Sequence, residues 1–212
     1  MIIKLCITGN NFSGNFLDCL LNTISYAKKN DWSLQIHRAE SNNIYYVMND
    51  VLGGSFNKGE FQKPFNGDDY DYIIWIDSDI IWKPEQIKEL IEKEGDIVTG
   101  LYIMSGNKDY FTCIEKIDIN DAIKYGHYKY LHRSEITGEI KEVDMGAMGF
   151  MKVKNGVFEN TPYPWFFQEE LSLDYGLITP DIIFFMKAKE KGYKVKVNQS
   201  IIVGHEKKTI LI

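Results

Sequence analysis

The chain opens on an apolar run, Ile2–Thr8, that reads as a strand. Gly14–Lys29 follows, with Phe16, Leu17, Leu20, Leu21, Ile24 and Ala27 at helical spacing. Trp32–His37 returns to a strand pattern with Leu34 and Ile36 on one face. Asn43–Leu52 reads as a helix or a loop, and Gly53–Asp71 as a polar, irregular connection. Tyr72–Ile76 is a short continuous apolar run, the pattern of a strand buried on both faces. An amphipathic helix over Glu85–Lys93 and a strand over Asp96–Met104 extend the alternation. Strand and helix alternating in this way predict a parallel sheet of the nucleotide-binding type.

The second half changes character. Tyr110–Ile117, His127–His132 and Glu139–Val143 read as shorter, mixed or antiparallel strands, and residues 144–153 as a glycine-punctuated strand. An aromatic loop, Tyr163–Phe167, precedes a helix over Pro180–Lys191 and strands at Lys194–Val197 and Ile201–Val203. With no linker between the halves, one α/β domain is expected over residues 1–212. Residues 1–104 form its nucleotide-binding half and 105–212 an acceptor-side half.

Composition narrows the function classes. The net charge is −6 and the basic residues are scattered, so no basic stripe suggests nucleic-acid binding. Cys6, Cys19 and Cys113 are odd in number and widely spaced, which gives neither a disulfide framework nor a zinc ribbon. The N-terminal apolar run is too short for a signal peptide, and no stretch approaches a membrane span. A cytoplasmic, reduced protein is expected.

The chemistry concentrates where Tyr72–Ile76 ends in Asp77-Ser78-Asp79. Strand side chains alternate, so Asp77 and Asp79 share a face. Two carboxylates at the end of a buried strand repel unless a cation lies between them, and oxygen ligands suit Mg²⁺ or Mn²⁺. The competing reading is a solvated turn before the helix that starts at Pro84. Ligands of open α/β sheets bind at the carboxyl ends of strands, which favours the functional reading.

Three segments carry a resemblance: IIWIDSDIIWKPEQI, MGAMGFMKVKNGVFE and TPDIIFFMKAKEKGYKVKVNQSIIVGH. In this order, over nearly the whole chain, they resemble the GT-A class of glycosyltransferases, in particular small family-2-like or phage and viral members. The resemblance implies a GT-A fold, a Rossmann-like mixed sheet flanked by helices with a smaller antiparallel acceptor-side elaboration. It implies a nucleoside-diphosphate sugar as donor (a UDP-sugar first, a GDP-sugar second) and a glycan or other hydroxyl compound as acceptor. Asp77 and Asp79, with His205 as third ligand, would hold Mn²⁺ or Mg²⁺. Thr8, Asn10, Glu40, Asp77, Ser78, Gly146 and Ala147 would contact the donor. Asp181 would be the general base of an inverting transfer. Each has a plainer alternative: a helix-start acid for Asp181, a solvated His for His205, tight packing for the glycines, inward packing for the aromatic loop. The resembling enzymes often carry Arg-Asn on the second helix; this chain has Met48-Asn49, so a cationic diphosphate contact is either missing or supplied elsewhere.

Other classes fit less well. An aspartyl-phosphate phosphatase places its D-x-D on the first strand, with Thr or Val where this chain has Ile81. A sugar-phosphate nucleotidyltransferase carries a basic glycine-rich loop after its first strand, and TGNNFSGNF has no Lys or Arg. A sugar-nucleotide-binding protein without turnover would keep the fold and lack a working base, an alternative kept open by Pro180-Asp181 in place of an acidic pair.

Overall fold

The computed structural model describes residues 1–125, 127–172 and 176–207. In chain order the elements begin β1 (Ile2–Thr8), α1 (Gly14–Lys29), β2 (Ser33–Ala39), α2 (Ile44–Asp50), β3 (Tyr72–Asp77), β4 (Ile80–Ile81) and α3 (Pro84–Glu92). They continue with β5 (Ile97–Leu101), α4 (Ile119–Tyr125), β6 (Ile140–Glu142), β7 (Phe150–Lys154) and α5 (Val157–Asn160). The described chain ends with β8 (Glu169–Ser172), β9 (Gly176–Ile178), α6 (Pro180–Glu190), β10 (Val195–Ile202) and β11 (Gly204–His205).

Seven strands form the main sheet in the order β2-β1-β3-β7-β5-β10-β6. The first three are parallel, as the alternation predicts. The sheet becomes mixed at the centre: β7 inserts antiparallel between β3 and β5, pairing Ile76 with Phe150 and Thr99 with Met151. A strand from the second half therefore completes the sheet begun by the first. Two small antiparallel pairs, β4–β11 and β8–β9, lie outside it. This is the α/β arrangement expected from the sequence, a mixed sheet flanked by helices with a smaller antiparallel elaboration.

Period-two alternation splits the core between the two faces of the sheet. Ile73 and Trp75 of β3 join Met151, Trp165 and Phe184 on one face, while Ile74 and Ile76 join Phe150 and Ile201 on the other. α6 is apolar almost all round, with Ile182, Ile183, Phe184, Phe185 and Ala188 buried, so it runs through the protein interior. Phe184 stacks on Phe158 at 4.9 Å. α1 starts where Ser13 Oγ accepts from the Phe16 amide at 3.0 Å. Its apolar stripe is wider than the face it buries: Phe16, Cys19 and Ala27 are covered, but Leu17, Leu21 and Ile24 are exposed, as is Ile36 on the edge strand β2.

The middle segment departs most from expectation. Tyr110–Ile117 and His127–His132 are not strands; isolated bridges join Ile103 to Phe111, Tyr110 to His132 and Ile114 to Met145. The unforeseen helix α4 falls between them. The two strands expected at the C-terminal end are one, β10, with a register shift between Val197 and Ile202.

The aromatic loop packs inward, with Trp165 and Phe166 essentially buried. Asn49 holds it there. Its side-chain amide donates to the Phe166 carbonyl at 2.7 Å and to the Tyr45 carbonyl at 2.6 Å. Its carbonyl accepts from the amides of Trp165 and Phe166 at 3.2 and 3.3 Å. Removing it strands several buried polar groups at once. Asn49→Leu should therefore cost about 2–4 kcal/mol, read as a lower urea midpoint at unchanged m-value.

Candidate active site

The carboxyl end of β3 builds the site from three directions. The register of β1 on β3 sets Thr8 opposite Asp77. The Thr8 hydroxyl donates to Asp77 Oδ1 at 2.9 Å, and Trp75 Nε1 donates to the same oxygen at 3.1 Å. On the other side β7 arrives through Gly149, whose amide donates to the Tyr102 hydroxyl at 3.1 Å. A Cβ on Gly149 would lie 2.7 Å from Asp77 Oδ2 and 2.8 Å from the Tyr102 hydroxyl oxygen, so only glycine admits this approach. Third, β11 folds the C-terminal segment back onto the turn, pairing His205 with Ile80, while the Glu206 amide donates to the Asp79 carbonyl at 2.7 Å.

His205 and Asp79 meet here. His205 Nδ1 lies 2.6 Å from the Ile103 carbonyl, which can only accept, so Nδ1 carries the proton. Nε2 then faces Asp79 Oδ2 at 3.2 Å, and the two are bonded only when Nε2 is protonated as well. The His205 ring also packs on Tyr102, centroids 4.9 Å apart. Lys207 Nζ reaches the same Asp79 oxygen at 2.5 Å.

The carboxylates sit in different electrostatic environments. Partial burial pushes the Asp79 carboxyl up, but the hydrogen bonds and charges of His205 and Lys207 outweigh it and hold it at about 2. Asp77 goes the other way: burial raises it, Thr8 and Trp75 pull it back, and the charges of Asp79 and Asp181 raise it further. Asp181, in the first turn of α6, is also raised by burial, against hydrogen bonds from Thr179 and from the backbone amides of Asp181 and Ile182. Its charge adds to the upward push on Asp77 and Tyr102.

Two cavities flank this centre. One, of ≈ 410 Å³, is lined by Asn10, Phe12, Phe16, Arg38 and Glu40 among others. Arg38 pairs with Glu40 at 3.1 Å, donates to the Gly9 carbonyl at 3.3 Å and lies over the Phe12 ring. The other, of ≈ 530 Å³, is bordered by Ser105, Gly106, Lys108, His205 and Lys207. Its cationic lining suits an anion.

The fold matches that of solved structures. The chain is similar in structure to A197 from STIV. The TM-score is 0.58 at 17% identity, over 98% of this chain and 87% of that one. The likeness concerns the fold, which has the GT-A-like architecture expected from the sequence. A looser alignment, to the inositol-1-phosphate CTP transferase from T. maritima, has a TM-score of 0.41 at 12% identity, covers 97% of this chain and 88% of that one, and bears no weight. No family model matches the chain. No curated protein matches it either. No helix among the described residues is long and apolar enough to cross a membrane.

The structure places the expected site residues unevenly. Asp77, Asp79, Asp181, His205 and Thr8 come together, and Asn10 and Glu40 line one cavity. Ser78 occupies the turn with its hydroxyl against Gly9. Gly146 and Ala147 do not face the site. A Cβ on Gly146 would strike the Thr99 side chain at 2.4 Å, and Ala147 is fully buried in the core. The glycine of that segment that meets the acidic centre is Gly149. No group of three His, Cys, Asp or Glu among the described residues is arranged to hold an ion. Asp77 Oδ1 accepts from Thr8 and Trp75, while Asp79 and His205 meet as a two-donor arm. That arm has the right tautomer, since an Nδ1–H anchored on a carbonyl leaves Nε2 for a ligand.

Sequence reasoning missed Arg38, Tyr102, Lys108 and Lys207. Only Lys207 left a signal: in extended chain, positions two apart point the same way, so His-x-Lys brings both side chains to one oxygen.

Two outcomes follow. A divalent ion on Asp79 must contend with the Lys207 ammonium on the same oxygen, so Lys207→Met should tighten Mn²⁺ binding in calorimetry by about tenfold or more. A raised folded-state pKa means that the Asp181 charge destabilises the native state above that pKa, a penalty that shrinks as the pH falls below it and is gone below the unfolded-state pKa. Asp181→Asn should therefore raise the melting temperature at neutral pH by roughly 2–4 °C per kcal/mol relieved. That gain should vanish as the pH falls through the raised pKa toward the ordinary carboxylate range.

Proposed function

We propose that the protein is a glycosyltransferase that moves a sugar from a nucleoside-diphosphate sugar, a UDP-sugar first and a GDP-sugar second, to a hydroxyl acceptor with inversion. The observation that carries this reading is the meeting of Asp77, Asp79, Asp181 and His205 at the carboxyl end of β3, between an aromatic cavity and a cation-lined one.

Each wall then has a part. Asn10, Phe12, Arg38 and Glu40 take the nucleoside, the ring against Phe12 and the ribose on Glu40 and Asn10. Lys108 and Lys207 take the diphosphate, a charge match that sets the leaving group at the β11 edge. Asp79 and His205 are the residues that would hold Mn²⁺ or Mg²⁺, oxygen and imidazole donors suited to such an ion. When bound, such an ion supplies Lewis-acid neutralisation of the departing diphosphate. Lys207, paired with Asp79 in the free protein, is the ammonium placed to meet a phosphate. Asp77, fixed by Thr8 and Trp75, borders the donor sugar from the β3 side.

Asp181 acts on the acceptor. Its carboxylate takes the hydroxyl proton as the acceptor oxygen bonds to the anomeric carbon. The bond from that carbon to the phosphate oxygen breaks, and its electron pair leaves with the nucleoside diphosphate. Burial raises the affinity of Asp181 for that proton above that of an exposed carboxylate, which suits a general base.

The reading is tested by melting temperature with UDP-, GDP-, CDP- and dTDP-sugars, each with and without Mn²⁺. A Mn²⁺-dependent rise with one nucleotide is expected. Asp79→Asn should abolish it. Asp181→Asn should keep it while losing about 10²–10⁴-fold in turnover. No shift with any nucleotide in folded protein would overturn the reading.

A further inference from the structure

A third cavity, of ≈ 550 Å³, opens beside the same centre, with Met104, Tyr110, Tyr128, Tyr130, His132 and Glu135 among its walls. We propose that it is a carbohydrate subsite that holds the acceptor as a sugar ring, with one hydroxyl directed at Asp181. The proposal rests on the glycosyltransferase reading for the acceptor role, and on the cavity itself for the ligand class.

Its position comes from the backbone. The segment 102–104 runs along the acidic centre and turns one residue after another to different neighbours. Tyr102 packs on His205 and accepts from the Gly149 amide. The Ile103 carbonyl holds His205 Nδ1. Met104 lines both this cavity and the cationic one. The far wall is tied to that segment: the Met104 amide donates to the Tyr110 carbonyl at 2.9 Å, the Thr112 amide to the Tyr102 carbonyl at 3.0 Å, and Tyr110 bridges to His132. Asp181 is close enough for its charge to act on both Tyr128 and Tyr130.

The chemistry of the lining selects the ligand. Tyr110 and His132 meet edge to face at 5.0 Å, and Tyr128 and Tyr130 add two more flat rings with polar edges. A pyranose has the complementary surface, an apolar face of C–H groups with a rim of hydroxyls. Burial keeps the Tyr128 and Tyr130 hydroxyls protonated, so they remain donors to such a rim. Lys129 and Glu135 offset one another, so the cavity has none of the net cationic character that marks the diphosphate side. The other aromatic cavity is lined by Tyr45, Tyr46, Phe56 and Pro164 among others. The aromatic loop expected to serve the acceptor contributes its Trp165 and Phe166 to the core.

The test uses the full chain and saturation-transfer NMR with lactose, cellobiose, maltotriose, chitotriose and mannotriose at millimolar concentration. Transfer to at least one is expected, with shifts in the wild-type tyrosine ring resonances. Tyr128→Ala and Tyr130→Ala should each weaken binding roughly three- to tenfold, Tyr128→Phe less, with the nucleotide-dependent melting shift unchanged. No transfer from any of the five, or transfer indifferent to both alanine variants, overturns the subsite. If either variant fails to fold, the wild-type ring shifts decide alone. Tyrosine-dependent saccharide binding without any nucleotide shift would instead keep the subsite and discard the transferase reading.

Discussion

The hydrogen bond from Thr8 to Asp77 joins the ends of two strands that lie 69 residues apart in the chain. It exists because β1 and β3 pair in one register; a slip of one residue would turn Asp77 into the opposite face of the sheet. From that corner the remaining parts take their places. Gly149 can approach because β7 pairs with β3, and Tyr102 because β5 pairs with β7. His205 arrives last, on a short strand bound to the turn that follows Asp77. The acidic centre is thus a product of sheet register more than of any loop.

Charge follows from that geometry. The sheet gathers carboxylates where water is scarce, and the chain answers them unequally. Asp79 has His205 and the Lys207 ammonium on one oxygen and is held ionised, whereas Asp77 and Asp181 have only neutral donors and are pushed up. Groups whose environments drive their proton affinities apart are those that divide acid, base and binding roles in a site. Lys207 belongs to the same logic, since its ammonium offsets the charge of Asp79.

Much of this was legible in the residues. α1 and β1 match their predicted bounds, because a continuous apolar strand and a well-spaced, capped helix carry strong periodic signals. Asp77 and Asp79 stood out as charge at the end of an apolar run. The antiparallel β7 did not, because a strand buried on both faces reads the same in either direction. The segment between Tyr110 and His132 misled, since tyrosines and β-branched residues suggest strands where tertiary contacts leave only single bridges. Gly146 and Gly149 are indistinguishable in sequence; only the positions of Thr99 and Asp77 separate a packing glycine from one that borders the site.

The insertion of β7 also bears on how the chain is made. On a ribosome β1, β2 and β3 are complete long before Phe150 emerges to pair with Ile76. At about 5–20 residues per second, the open edge of β3 waits several seconds for its partner. That edge carries Ile73, Ile74, Trp75 and Ile76, all fully buried in the finished protein. The nascent first half is therefore a sticky, incomplete sheet during synthesis. A fragment ended after β5 would keep that state permanently, with the D-x-D turn present and the strand that seals it absent.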